Sequence, residues 1–205
     1  MTSLDQLARL FERFPGIGPR QARRFVFHLL KEDPASLAIL AATIADIQSK
    51  VMLCGHCHRY FARDNGNTLC DICADANRDH SLLCVVERDS DITPIERSGT
   101  YEGYYFVLGG TVPLLNAEEA DIRLRGGALK AIVDMRLKNE LAEVILAFSV
   151  NPDGENTARY VESLLKEQRE THALKVSTLG RGLSTGSELE YADPETIKNA
   201  LRNRG

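Results

Sequence analysis

Three observations predict an α/β protein built from several modules. Leu4, Leu7, Leu10 and Phe11 recur at helical spacing ahead of a Pro15-Gly16-Ile17-Gly18-Pro19 turn, and Ala22, Phe25, Leu29 and Leu30 repeat that spacing after it. Two Cys-x-x-Cys pairs, Cys54/Cys57 and Cys70/Cys73, stand in a short polar stretch. From Leu82 onward, apolar strand-like runs alternate with helical stretches, the pattern of a largely parallel sheet covered on both faces. The boundaries read as a helix-hairpin-helix region over 1–53, a small four-cysteine zinc finger over 54–77, a parallel α/β domain over 78–174 and a C-terminal strand-and-helix segment over 175–205.

In the first region Ser3 is the expected N-cap of the first helix. The two glycines, Gly16 and Gly18, let the backbone turn tightly and approach a phosphate with no side chain in the way. Pro19 occupies the first helical position, where its missing N–H costs nothing. The free amides of the turn and helix start then face an anion, and Arg20, Arg23 and Arg24 follow in the first turns. Ile17 should pin the turn to the core, and a third helix of about Ser36 to Val51 follows Asp33-Pro34. This is the pattern of a helix-hairpin-helix that binds the DNA backbone without reading bases; an ordinary αα-hairpin with a glycine turn is the alternative. A dinucleotide fingerprint fails, because the third glycine is absent and a helix precedes the turn.

Charge is consistent with a local DNA contact. The 205 residues carry a net charge of −4, so phosphate binding must come from a patch and not from overall basicity. Arg9, Arg13, Arg20, Arg23 and Arg24 crowd the first thirty residues against Asp5 and Glu12 alone. The apolar fraction of 43% is that of a chain with a packed core. No apolar run approaches the roughly 18 residues that cross a bilayer, and Met1-Thr-Ser-Leu-Asp lacks the basic start of a secretory signal. The expected location is the cytosol, in association with the nucleoid.

Five cysteines in a cytosolic chain, four of them in tight pairs, favour metal over disulfides. Each Cys-x-x-Cys knuckle offers two thiolates to one ion, so Cys54, Cys57, Cys70 and Cys73 make a closed tetrahedral set and the zinc is structural. His56 and His58 read as solvated polar residues, and Cys84, inside an apolar run, as a small buried hydrophobe. A zinc deaminase is excluded by the missing His-x-Glu and Pro-Cys-x-x-Cys elements.

In the α/β domain the strands are Leu82–Val86, Tyr104–Leu108 and Val144–Phe148, with helices over about Leu124–Asn139 and Asn156–Glu170. A last strand, Lys175–Thr178, leads to a short helix of about Pro194–Arg202. Glu87 ends the first strand, where open α/β sheets place ligand-binding residues. A magnesium-dependent phosphoryl site would want two or three converging carboxylates. Asp153 and Glu155 are the available companions, but Ser149 and Asn151, nearest the strand end, are uncharged. Glu87 therefore reads as an acidic remnant, a weak Mg2+ ligand or a polar contact, and a Mg-dependent nuclease is the alternative function. The Gly180–Gly186 loop lacks the Gly-Lys-Ser/Thr ending of a phosphate loop and reads as a connection.

The order of these modules resembles the bacterial RecR family of recombination mediators. The residues that carry the likeness are Pro15-Gly-Ile-Gly-Pro-Arg20 with Phe27-His-Leu-Leu30, the four cysteines, and Arg78-Asp79 running into Leu83-Cys-Val-Val-Glu87. Tyr105–Gly110, Glu143–Ala147, Gly154-Glu155 with Thr157-Ala158, and Gly186–Asp193 add to it. The resemblance implies a helix-hairpin-helix, a four-cysteine zinc finger, a Toprim domain and a C-terminal segment. It implies a non-enzymatic role in recombinational repair, in rings of subunits that clamp DNA and, with RecO and in many bacteria RecF, help load RecA onto single-stranded DNA. By position, Arg20 and Arg24 match the basic residues that face DNA, the cysteines the zinc ligands, and Glu87 the Toprim glutamate. The chain departs from the pattern twice. Ser149-Val-Asn151 stands where active Toprim enzymes carry Asp-x-Asp, and Val112-Pro-Leu-Leu-Asn-Ala replaces the family's usual loop after the double glycine, on the surface where RecO would dock.

Overall fold

A computed structural model describes residues 1–63, 66–113, 124–180, 189–192 and 194–202, and the chain divides into two compact units, Met1–Met52 and Leu53–Gly205. Most of the 112–117 and 180–186 loops singled out above lies outside the described residues.

The first unit begins with α1 (Ser3–Phe11). Its N-cap is Thr2, not Ser3. The Thr2 hydroxyl accepts from the Asp5 amide at 3.3 Å, and the Asp5 carboxylate accepts from the Thr2 amide at 3.0 Å. Both halves of this capping box require the hydroxyl three residues before the carboxylate, a spacing that Thr2 has and Ser3 lacks. After the turn, α2 (Pro19–Leu29) runs with Pro19 in its first position, as expected. Ala8, Ala22 and Val26 form the buried seam between the two helices, with Leu7, Phe11 and Ile17 packed against it. Ile17 thus anchors the turn. The third helix, α3 (Pro34–Lys50), starts two residues earlier than its apolar pattern predicts. Asp33 caps it by accepting from the Ala35 and Ser36 amides at 2.9 and 3.0 Å.

β1 (Val51–Leu53) leads the chain into the second unit, followed by β2 (Tyr60–Ala62) and the one-turn helix α4 (Asp71–Ala74). The main sheet comprises β3 (Asp79–Val86), β4 (Gly103–Val107), β5 (Glu143–Ala147) and β6 (Lys175–Thr178), in spatial order β4-β3-β5-β6 and parallel throughout. Central β3 pairs Val85 with Phe106 on one side and Leu146 on the other. That position explains why Leu83 to Val86 are all buried and read as an unbroken apolar run.

Helices α5 (Ile92–Ser98), α6 (Gly126–Leu137), α7 (Pro152–Leu164) and α8 (Lys166–His172) connect the strands, and α9 (Pro194–Arg202) comes last. Leu129, Val133, Val161 and Leu165 are fully buried in the same core as the sheet. The helix expected from Asn156 begins instead at Pro152, with Asn151 as N-cap, and its continuation past Leu164 is a separate helix. Asn-Pro at cap and first position is a helix-start signal that the weak apolar periodicity of 152–155 conceals.

Candidate nucleic-acid interface and metal centre

The hairpin turn of the first unit carries the predicted DNA contacts. Gly16 has φ +76°, the left-handed region in which a side chain is strained, so the turn itself requires glycine there. Gly18 differs. It is the N-cap of α2, in extended backbone with φ −86° and ψ 171°, and a Cβ added there would meet nothing within 4 Å. Nothing inside the fold asks for glycine at this position. The cap makes no side-chain hydrogen bond to the helix, which leaves the first amides of α2 open. Arg20, Arg23 and Arg24 are all exposed, and their spacing of three and four places them side by side along the helix. Arg24 Nη1 donates to Gln21 Oε1 at 3.2 Å.

The four predicted ligands come together in the second unit. The sulfurs of Cys54, Cys57, Cys70 and Cys73 all lie within 4.8 Å of one another, and all four residues are buried. Cys57 Sγ stands 3.6 Å from Cys70 Sγ. Four thiolates each about 2.3 Å from one zinc ion would stand about 3.8 Å apart, so the spacing suits a tetrahedral metal centre. The electrostatics suit it too. The Cys57 thiol, followed by those of Cys70 and Cys73, holds Cys54 well below the ordinary thiol range, while their bonds to Cys54 hold Cys57 and Cys73 far above it. Only with a cation among them can all four sulfurs carry charge at this spacing.

The finger is fastened to the sheet at its β4 edge. The Val107 amide donates to the Cys57 carbonyl at 2.8 Å, and Arg125 Nη1 donates to the carbonyls of His58 and Val107 at 2.8 and 3.1 Å. The Tyr60 amide donates to Asp89 Oδ1 at 2.6 Å. His58 departs from the solvated role expected of it. It is half-buried with φ +58°, its ring centroid 5.2 Å from that of Phe106, and desolvation followed by the Arg125 charge lowers its pKa. Its neighbour in sequence is Cys57, one of the four clustered cysteines, whose carbonyl holds β4, and this tether, set by residues fifty positions away, left no local signal. Cys84 is buried as expected, and burial pushes its thiol up to about 12.

Among the described residues, Glu87, Asp153 and Glu155 form no cluster like that of the four cysteines. Glu87 is buried, 6% exposed, and its Oε1 accepts the Ser149 amide at 2.6 Å. Asp153 and Glu155 lie in the first turn of α7, the former half-buried and the latter exposed. Among the described residues, the four cysteines are the only set of three or more His, Cys, Asp or Glu side chains placed to share an ion. No helix among them is long and apolar enough to cross a membrane.

Comparison with known proteins agrees with this layout. Residues 4–47 match the family described as RecR, helix-hairpin-helix; residues 81–179 match the Toprim domain; and residues 182–204 match RecR, C-terminal. The chain is 36% identical over 205 residues to the recombination protein RecR of Legionella pneumophila (strain Corby), covering 98% of each. It is 37% identical over 203 residues to that of Bifidobacterium longum (strain DJO10A), covering 98% of this chain and 95% of the relative. The RecR of Streptomyces avermitilis is 37% identical over 202 residues, with 98% and 93% covered.

Proposed function

The chain belongs to the RecR family of recombination proteins, and on that premise we propose that it is a DNA-binding mediator of recombinational repair with no chemical step of its own. Gly16, Gly18, Arg20, Arg23 and Arg24 hold the sugar–phosphate backbone, the amides of the turn and the arginines together supplying the contacts. Cys54, Cys57, Cys70 and Cys73 hold one structural Zn2+, which closes the finger without offering an open coordination position. Functionally the chain divides into 1–53 for DNA binding and oligomerisation, 54–77 for the finger, 78–174 for the Toprim domain and 175–205 for the C-terminal segment. Its partner is RecO, joined in many bacteria by RecF, with which it promotes RecA loading on single-stranded DNA in the nucleoid.

The observation that carries the DNA reading is Gly18: a glycine with no internal reason to be one, at an uncapped helix start, followed by three exposed arginines. Self-association, as a dimer or a tetrameric ring, is supported by α3. None of its residues is buried, and Ile39, Leu40, Ile44 and Ile47 are exposed, an apolar face that a second copy would cover. What favours a non-enzymatic role over a Mg-dependent nuclease is the neutral pair Ser149 and Asn151 beside a Glu87 that is already hydrogen-bonded.

Gly18→Asp tests the reading. Asp is a better N-cap than Gly, so the melting temperature should hold or rise, while its carboxylate repels phosphate. Affinity for two DNA duplexes of unrelated sequence should fall equally. Undiminished affinity in a folded variant would remove the hairpin from the DNA interface. Nicking of supercoiled DNA in Mg2+ or Mn2+, lost in Glu87→Gln, would establish the nuclease instead.

A further inference from the structure

Toprim folds imply a magnesium ion at the glutamate ending the first strand, and the groups present here do not suit one. The two residues past the end of β5, Ser149 and Asn151, are uncharged, and both take part in the hydrogen bonds of the β5–α7 turn. The Ser149 amide donates to Glu87 Oε1 at 2.6 Å, and Asn151 Oδ1 accepts the Gly154 amide at 2.8 Å. Among the described residues, Asp153 and Glu155, in the first turn of α7, do not join Glu87 in a set of three or more placed to share an ion.

We propose that Glu87 is a structural clasp: its carboxylate serves as a rung of the sheet where the backbone ladder between β3 and β5 has run out. The last paired residues are Val86 and Ala147. One step further, the Glu87 carbonyl continues the ladder on the β4 side by accepting the Gly109 amide at 3.0 Å. On the β5 side its side chain takes over and accepts from Ser149. One residue thereby stitches both neighbouring strands beyond their regular ends.

The turn that it holds has no slack. A Cβ on Gly154 would lie 1.9 Å from the Ser149 carbonyl oxygen, so α7 starts in direct contact with the clasped peptide. Asn151 and Pro152 fix the helix start from the other side. An amide–carboxylate bond to so buried an acceptor is stronger than a neutral one, and losing the acceptor leaves the amide without its partner. A glutamate that ligates metal in an enzyme here builds the strand–helix junction.

The inference deepens the non-enzymatic reading, and the test separates the two. Glu87→Gln keeps a carbonyl acceptor for Ser149; Glu87→Ala does not. Hydrogen exchange at the Ser149 amide should be equally slow in the natural protein and Glu87→Gln, and about tenfold faster or more in Glu87→Ala. Mn2+, followed by water proton relaxation, should bind none of the three at this site. Unchanged Ser149 protection in Glu87→Ala would overturn the clasp. So would Mn2+ binding by the natural protein that both substitutions abolish. If Glu87→Ala does not fold, Glu87→Gln alone decides: retained protection upholds the clasp and lost protection refutes it. DNA cleavage by the natural protein would sink the non-enzymatic reading while leaving the Ser149 result to judge the clasp.

Discussion

Substituting Cys57 by Ser removes one thiolate from the buried set and, with it, the geometry of the knuckle whose carbonyl holds Val107. The consequence should reach beyond the finger. The Val107 to Cys57, Arg125 to His58 and Tyr60 to Asp89 hydrogen bonds fasten the finger to the sheet and its flanking turn. At about 1 kcal/mol each, their loss removes roughly 3 kcal/mol from the second unit. For a domain of this size that lowers the melting temperature by about 6–12 °C. Zinc content measured by atomic absorption, thermal unfolding and hydrogen exchange at Val107 together check the chain of cause. Zinc should be lost, the melting temperature should drop by that amount, and the Val107 amide should exchange faster than the buried amides of β5. A variant that retains stoichiometric zinc, or loses it with Val107 still protected, would refute the coupling between finger and sheet.

Two further outcomes follow from side chains outside the proposed interfaces. Gly154→Ala should destabilise the second unit by about 3 kcal/mol or more in urea unfolding, because the Ser149 carbonyl that blocks its Cβ is backbone and cannot swing away; a cost under about 1 kcal/mol would contradict the geometry of the β5–α7 turn. Glu96 should make the fold acid-sensitive. Desolvation raises its pKa, but bonds from Arg78 at 2.5 Å and Tyr105 at 2.6 Å prevail and hold it below its ordinary value of 4.5. A carboxylate depressed in the folded state stabilises fully above its unfolded pKa and loses that contribution as pH falls through the folded value. The urea midpoint should therefore be flat from about pH 7 to about 5 and fall below about 4.5, and the fall should be shallower in Glu96→Gln. Identical acid profiles for the two proteins would exclude Glu96 as a cause.

How much of this could be read from the chain depended on whether the cause was local. The α1–α2 hairpin was legible because Leu4, Leu7 and Phe11 lie within two turns of each other in α1, as Pro19 and Ala22 do in α2. The β3, β4 and β5 runs were legible because central parallel strands are apolar on both faces. Four cysteines in two knuckles announced their own convergence. Short elements did not show: α4 has 4 residues and α5 has 7, too few for periodicity to declare itself. The N-cap was misplaced by one residue because Thr2 and Ser3 are adjacent hydroxyls and only the reach to Asp5 distinguishes them. What the sequence hid most completely were long-range bonds. Glu87 meets Ser149 across 62 positions, and Val107 meets Cys57 across fifty; neither leaves a pattern in its own neighbourhood.

The slope of DNA affinity against salt concentration, compared between the natural protein and Arg20→Ala/Arg24→Ala, probes the hairpin most directly. Two guanidinium groups withdrawn from two phosphates should make the logarithmic slope shallower by about 1.8 on duplex DNA, with the melting temperature unchanged because both side chains are exposed. Parallel salt curves for the two proteins would place the DNA contact elsewhere on the molecule, or nowhere on it.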